Sequence, residues 1–434
     1  MARYPNVKTY VDGREFDAAL AELENIDKGT SRLLYLYEKG LVLHFSGRYE
    51  QSNSAFEASE RLYDDLYTKS VSREIGAMLT SDNLIQYRGE RFEAAYIYYY
   101  KIMNYLLLSD VEGALVECRR LNNRLKFFAE SDDSVYVNDA FLQYLTAMVY
   151  LEAGEISDAS VSLRAAADAY HTLGERYALG IPASLECDGE YSSQFGGAPA
   201  MPGVYENPGL DCGRYRIDTR RGAVNVFLEC GHAPYKIEQN IVFPIYKGEC
   251  NDDTDAHDFA VTLTNRYGEP VNEGLELEYL LRVSFPELVA SPVVFGDVFV
   301  RAVVDGRPET APAQVVTNLD AVAFEAFEAR RSAIMLKAVT RALVKYLAKE
   351  GADQKSETAG WLVNLFNVAS EGADVRTWST LPQTVRMARL VLPEGDYDLE
   401  IVIQGPDPDT VETHVVEGVH VRASTFSFLN FRIN

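Results

Sequence analysis

The first 175 residues of this chain repeat, and that constrains the fold more than any other feature. From Tyr35 to Ser59, Gly40, Gly47, Tyr49 and Phe56 take the small, small, aromatic and large places of a unit in which a helix, a tight turn and a second helix recur. A second copy from Ala95 places Ile102, Ser109, Val111, Ala114, Cys118 and Leu121 equivalently, and a third from Ala140 places Ala147, Gly154, Ile156, Ala159, Leu163 and Ala166. Arg14-Glu-Phe-Asp-Ala-Ala and Glu90-Arg-Phe-Glu-Ala-Ala add two degenerate turn-to-helix starts, each read as leading into a second helix. Small residues let two helices approach, and the large ones fill the seam between them.

The spacing is that of the tetratricopeptide pattern, about 34 residues per unit, without its Trp and terminal Pro. It predicts an α-solenoid over residues 1–175. Counted from the first residue of each unit, position 2 is Leu34, Tyr96 and Phe141, position 5 is Tyr37, Tyr99 and Tyr144, and position 9 is Leu41, Met103 and Met148. In a stacked array these nine side chains line the concave surface. A groove of rings and thioethers suits an apolar strand, helix or extended peptide. A clamp for a C-terminal carboxylate is not expected, because position 6 is Glu38, Tyr100 and Leu145 rather than Lys or Asn. The competing reading is that the stripe is core, or is covered by the second half of the chain.

Beyond His171 the helical period stops. Residues 176–222 carry Gly180, Pro182, Asp188, Gly189, Gly196, Gly197, Pro199, Pro202, Gly203, Pro208 and Gly209 and read as an irregular linker. Residues 223–434 read as an α+β domain. Strand-like runs occupy 223–228, 240–246, 259–264, 275–283 and 293–304, a long helix is expected near 320–348 and a second at 360–370, and strands return over 385–391, 398–404, 414–421 and 425–433. The expected whole is a helical solenoid followed by a mostly antiparallel, β-sandwich-like module.

Chemistry is scarce. No nucleophile elbow, phosphate loop, paired-histidine metal motif or dinucleotide fingerprint occurs, so no catalytic residue, metal or cofactor is assigned. Six isolated His read as surface or satisfied groups, and Asp252-Asp-Thr-Asp-Ala-His257 lacks the Gly and Glu of a calcium loop. Arg376, Trp378 and Pro382 read as an anchor, with Arg376 stacked on the indole or paired to Asp374, and Cys230 to Lys236 reads as a turn between strands. With 41 Lys and Arg against 65 Asp and Glu, the net charge of −24 argues against nucleic acid and anionic membrane as partners. No apolar run is long enough to span a bilayer. Cys187, Cys212, Cys230 and Cys250 form an even group in a loop-rich region, which suits two disulfides of undetermined pairing; independent thiols and a zinc site are the alternatives.

Several stretches are similar to a known family. Leu79 to Glu93, containing Tyr87-Arg-Gly89-Glu-Arg-Phe-Glu93, with Tyr100-Lys-Ile-Met-Asn104 and Ala140-Phe-x-x-Tyr144, resembles a bacterial family of tetratricopeptide-repeat outer-membrane lipoproteins of uncharacterised function. Gly231-x-Ala-Pro-x-Lys236, the helix around Arg330 and Arg341, and Ala373-Asp-x-Arg-Thr-Trp378-Ser-x-Leu-Pro382 extend the resemblance over most of the chain. The resemblance implies a periplasmic, outer-membrane-anchored scaffold, often encoded near small lipoproteins that resemble activators of penicillin-binding proteins. Met1-Ala-Arg-Tyr-Pro has neither the sections of a secretory signal nor a lipidation cysteine, so the expectation is either a cytoplasmic protein or, as the resemblance implies, a leader that was trimmed. The leading expectation is a non-enzymatic adaptor that grips a segment of another envelope protein. The rivals are a cell-wall hydrolase with carboxylates in the second half and a structural subunit of a homo-oligomer.

Overall fold

Three turns of the same backbone geometry organise the helical half. The computed structural model describes residues 5–25, 29–70, 85–130, 136, 138–194, 209–247, 276–292, 296–353, 372–405 and 411–433. Gly47, Ser109 and Gly154 have φ of 75°, 59° and 75°, the left-handed region in which a chain leaves one helix and reverses into the next. They join α3 (Arg32–Phe45) to α4 (Tyr49–Ser70), α5 (Arg91–Leu107) to α6 (Val111–Ala129), and α7 (Ala140–Glu152) to α8 (Ile156–Tyr177). A turn around Arg14, φ 56°, likewise joins α1 (Pro5–Asp12) to α2 (Phe16–Glu24). The start at residue 90 opens the first helix of its hairpin, not the second. Each hairpin packs on the next through α2 on α3, α4 on α5 and α6 on α7.

The seam inside a hairpin follows the small-to-large pairing read from the sequence. A Cβ at Gly40 would stand 2.6 Å from the Phe56 ring, and Phe56 is wholly buried. Gly40→Val should therefore force α3 and α4 apart and lower stability by about 1–3 kcal/mol in urea unfolding.

Three sheets follow among the described residues. β1 (Arg221–Cys230) lies between β10 (Phe426–Ile433), parallel to it, and β7 (Thr384–Pro393), antiparallel, with β6 (Gln314–Asn318) at the far edge. β4 (Val298–Val304) and β8 (Gly395–Gln404) form the centre of an antiparallel sheet edged by β5 (Arg307–Pro312) and β9 (Val411–Val421). β2 (Tyr235–Lys247) and β3 (Glu276–Val289) make a separate antiparallel ribbon. β1 shows why the layers stack. Its side chains alternate in facing, and it is buried from Gly222 to Cys230. Val224, Val226 and Leu228 pack against Val300, Ile401 and Val421 of the second sheet, whereas Ala223 and Phe227 enter the core of the helices. The molecule is thus a mixed α+β structure with mostly antiparallel sheets. Its change from helix to sheet near residue 175 is not a break in the core.

The long helix α10 (Leu319–Asp353) leaves β6 directly and packs on β3, where Ala338, Ala342 and Tyr346 meet Leu281 and Val283. No described helix is long and apolar enough to cross a membrane. The linker expected over 176–222 holds one more helix, α9 (Ala183–Gln194), which Asp188 and Gly189 conceal by their low helix propensity. Pro182 just before its first turn suits a helix start. The expected strand at 259–264 and helix at 360–370 lie outside the described residues, as does the acidic loop 252–257.

Candidate functional site

All nine side chains expected to line a partner groove, Leu34, Tyr37, Leu41, Tyr96, Tyr99, Met103, Phe141, Tyr144 and Met148, are 0 % exposed. They share one core with Ala223, Phe227, Val385, Met387, Phe426 and Phe428 of the first sheet. The structure therefore corrects the open groove: the chain's own second half lies on this face. The tyrosines meet rings supplied by that half. Trp378 stacks on Tyr37 at 4.7 Å between centroids, and Phe227 stands edge-on to both Tyr99 and Phe141 at 6.4 and 5.5 Å.

Each tyrosine also carries a hydroxyl into this dry interior, where an unpaired polar group is costly. The sheet and α9 supply partners to all of them but Tyr37, whose buried hydroxyl has none among the described residues. Tyr99 and Tyr100 donate to the two oxygens of Glu229 on β1 at 3.0 and 2.8 Å. Asn430 of β10 adds a third bond to Glu229 at 3.2 Å, and the Arg432 guanidinium lies 3.6 Å away. Tyr96 donates to Thr317 of β6 at 2.9 Å. Tyr144 donates to Asp188 of α9 at 2.8 Å, and Arg389 of β7 bonds Asp188 at 2.8 Å, Tyr144 at 3.1 Å and Asn225 of β1 at 2.7 Å. His44 is read as neutral, donating from Nδ1 to Asn104 at 2.6 Å and accepting from Asn430 at Nε2, with its pKa lowered by burial.

The loop before β7 completes the layer. Glu93, on α5, accepts the Trp378 amide at 2.9 Å and the Tyr87 hydroxyl at 2.6 Å. Glu38, on α3, accepts the Ser379 amide at 3.2 Å and the Thr380 hydroxyl. Burial pushes Glu38 up to about 7 against the opposing pull of these bonds from Thr380 and Ser379. Its folded pKa is thus above the ordinary value, so its stabilising contribution is complete below about pH 4.5 and is lost as pH rises through about 7. Glu38→Gln, which mimics the neutral acid, should gain on the order of 3 kcal/mol over the wild type between pH 5 and pH 8, read by urea unfolding at each pH. His232, pushed down to about 4 mainly by burial, acts in the opposite direction as pH falls below about 6.5, and the variant comparison cancels it.

The remaining expected sites fall elsewhere. Cys187 and Cys212 form a disulfide that ties α9 to the turn at Cys212–Arg214. Cys230 is a buried thiol pushed up to about 11 by burial, so it is neither bridged nor reactive, and Cys250 lies outside the described residues. No metal-holding group of His, Cys, Asp and Glu occurs among the described residues. Arg376 pairs with Asp374 as one of the two expected modes, at 2.7 and 2.8 Å, but lies over the Tyr87 ring rather than the indole. The stretch from Cys230 to Lys236 turns β1 into β2.

Nothing in the sequence singled out Glu229, Asn225 or Arg389, while Asp188 read only as a mark of the irregular linker and Glu38 only as the absence of a clamp. One signal was present: Asn225 and Glu229 interrupt Val224, Val226, Phe227 and Leu228 at positions that share a strand face. Comparison with protein-family models, curated proteins and solved structures finds no match for this chain.

Proposed function

We propose that this chain is a non-enzymatic adaptor in a cell-envelope assembly, a tetratricopeptide-like array whose concave face is occupied by its own β module. The observation that supports this reading is the set of buried carboxylates bonded across the junction of the two halves. The buried carboxylates there, Glu38, Glu93, Asp188 and Glu229, have their oxygens engaged by hydroxyl, amide or guanidinium donors, which favours a joint over an acid–base pair. In this reading the tyrosines act as struts that fix the two halves relative to each other, and a protein partner docks on surfaces outside them. Replacing Tyr37, Tyr99 and Tyr144 together by alanine is expected to unfold the chain rather than to remove a partner selectively.

Crosslinking in the native cells followed by mass spectrometry tests the reading. One dominant envelope protein, crosslinked at exposed positions of the folded chain, is the expected result. Capture of copies of the same chain alone, or hydrolysis of cell-wall fragments by the purified protein, would replace the adaptor with one of its rivals.

A further inference from the structure

The sheet of β5, β4, β8 and β9 has two edge strands, and they are built differently. On β5, Pro308 and Pro312 lack the backbone N–H through which a further strand would be added, so that edge is blocked. β9 has neither proline nor lysine, and among the described residues no strand pairs with its far side. Its regular stretch, Val411 to Val416, runs against Gln404 to Leu399 of β8. It ends at a bulge opposite Asp398, where Gly418 has φ 68°.

The order of residues along this open stretch is self-complementary. Side chains alternate across a strand, so Val411, Thr413 and Val415 lie on the outer face, where the two valines are each 54 % exposed. Glu412 and His414 share the other face, opposite the buried Ile403 and Ile401, and pair with each other at 2.9 Å. Charged groups on the inner face of an edge discourage an arbitrary strand from adding there. An antiparallel copy of the same strand, centred on Thr413, meets no such obstacle. It sets valine opposite valine, threonine opposite threonine, and each Glu412 carboxylate opposite a His414 imidazole. Sliding the copy by two residues in either direction sets Glu412 opposite Glu412 or His414 opposite His414, so the charges select one register.

We propose that β9 pairs with β9 of a second copy of this chain about a two-fold axis at Thr413, joining the two outer sheets into one. The match of Glu412 to His414 selects a second copy as the occupant, and a two-fold contact of this kind closes on itself as a dimer. The inference is independent of the adaptor reading, because pairing through this edge leaves the helical half of each copy free.

Sedimentation velocity of the full chain from micromolar to near-millimolar concentration tests it. The net charge of −24 sets two copies against each other, so the measurement is made in 0.15 M salt, where fields fade beyond about 8 Å. Expected is a monomer–dimer equilibrium with Kd on the order of 10–100 µM, as suits a small interface. Val411→Lys with Val415→Lys places lysine opposite lysine at exposed positions and should weaken the dimer tenfold or more, with an unchanged helical and strand signal in circular dichroism. Should that variant unfold, cysteine substitution reads the register instead. Under mild oxidation Thr413→Cys should form a disulfide-linked dimer, because position 413 meets its own copy across the axis. Val415→Cys, which meets Val411, and the wild type should not. A monomer at every concentration, a dimer unaffected by the two lysines, species larger than a dimer, or crosslinking at 415 equal to that at 413 overturns the proposal.

Discussion

Replacing Arg389 by methionine should destabilise the protein by about 3–5 kcal/mol, the loss expected when one member of a buried ion pair is removed and the other is left without its countercharge. Asp188 would keep only the Tyr144 hydroxyl, and the Asn225 carbonyl oxygen would lose its bond from the guanidinium. The substitution acts on three elements at once, because Arg389 on β7 sits opposite Asn225 on β1 and reaches α9 through Asp188. Urea unfolding should show the loss as a lower midpoint. Adding Asp188→Asn to the variant should recover part of the stability, since a neutral amide no longer needs the countercharge. A double variant no more stable than Arg389→Met would mean that the pair contributes packing alone.

Trp378→Ala should cost a similar amount, about 3–5 kcal/mol, for a different reason. The indole is fully buried, stacked on Tyr37, with Phe56 and Tyr100 each 6.0 Å away between centroids. Its removal opens a cavity where the helices and the loop before β7 meet, and three aromatic neighbours lose contacts together. Trp378→Phe should lose clearly less, because a ring remains against Tyr37. The two losses arise at separate places on the same internal face, one at the α3–α4 hairpin and one at α9.

How far the sequence could be read follows from what periodicity contains. The turns at Gly47, Ser109 and Gly154 fell in register because a left-handed residue between two helices leaves a local signature. Positions 2, 5 and 9 of each unit stand three and four residues apart, which is the spacing of one helix face, and all nine side chains are buried. What covers that face is not a local property. A stripe of Tyr37, Tyr99 and Tyr144 reads alike whether a foreign peptide or the chain's own β1 lies on it, and only the tertiary structure distinguishes the two. The hydroxyls offered a partial clue, since so many phenols on a dry face need acceptors, and Glu229 in an otherwise apolar strand is such a group. Helix α9 escaped for the converse reason. Its local propensity is poor, and Asp188 and the Cys187 disulfide hold it through contacts distant in sequence.

The central claim is that the aromatic face of the helices is filled by the chain's own sheet and by the loop that carries Trp378. The chain has two tryptophans, Trp361 and Trp378, so a Trp361→Phe variant reports on the second alone. Acrylamide quenching of that variant is the most direct test. The account predicts blue-shifted emission, nearly insensitive to acrylamide, that is lost together with the helical circular dichroism as urea is raised. Emission of a water-exposed indole, freely quenched while the helical signal stays intact, would show that the face is open and contradict the account.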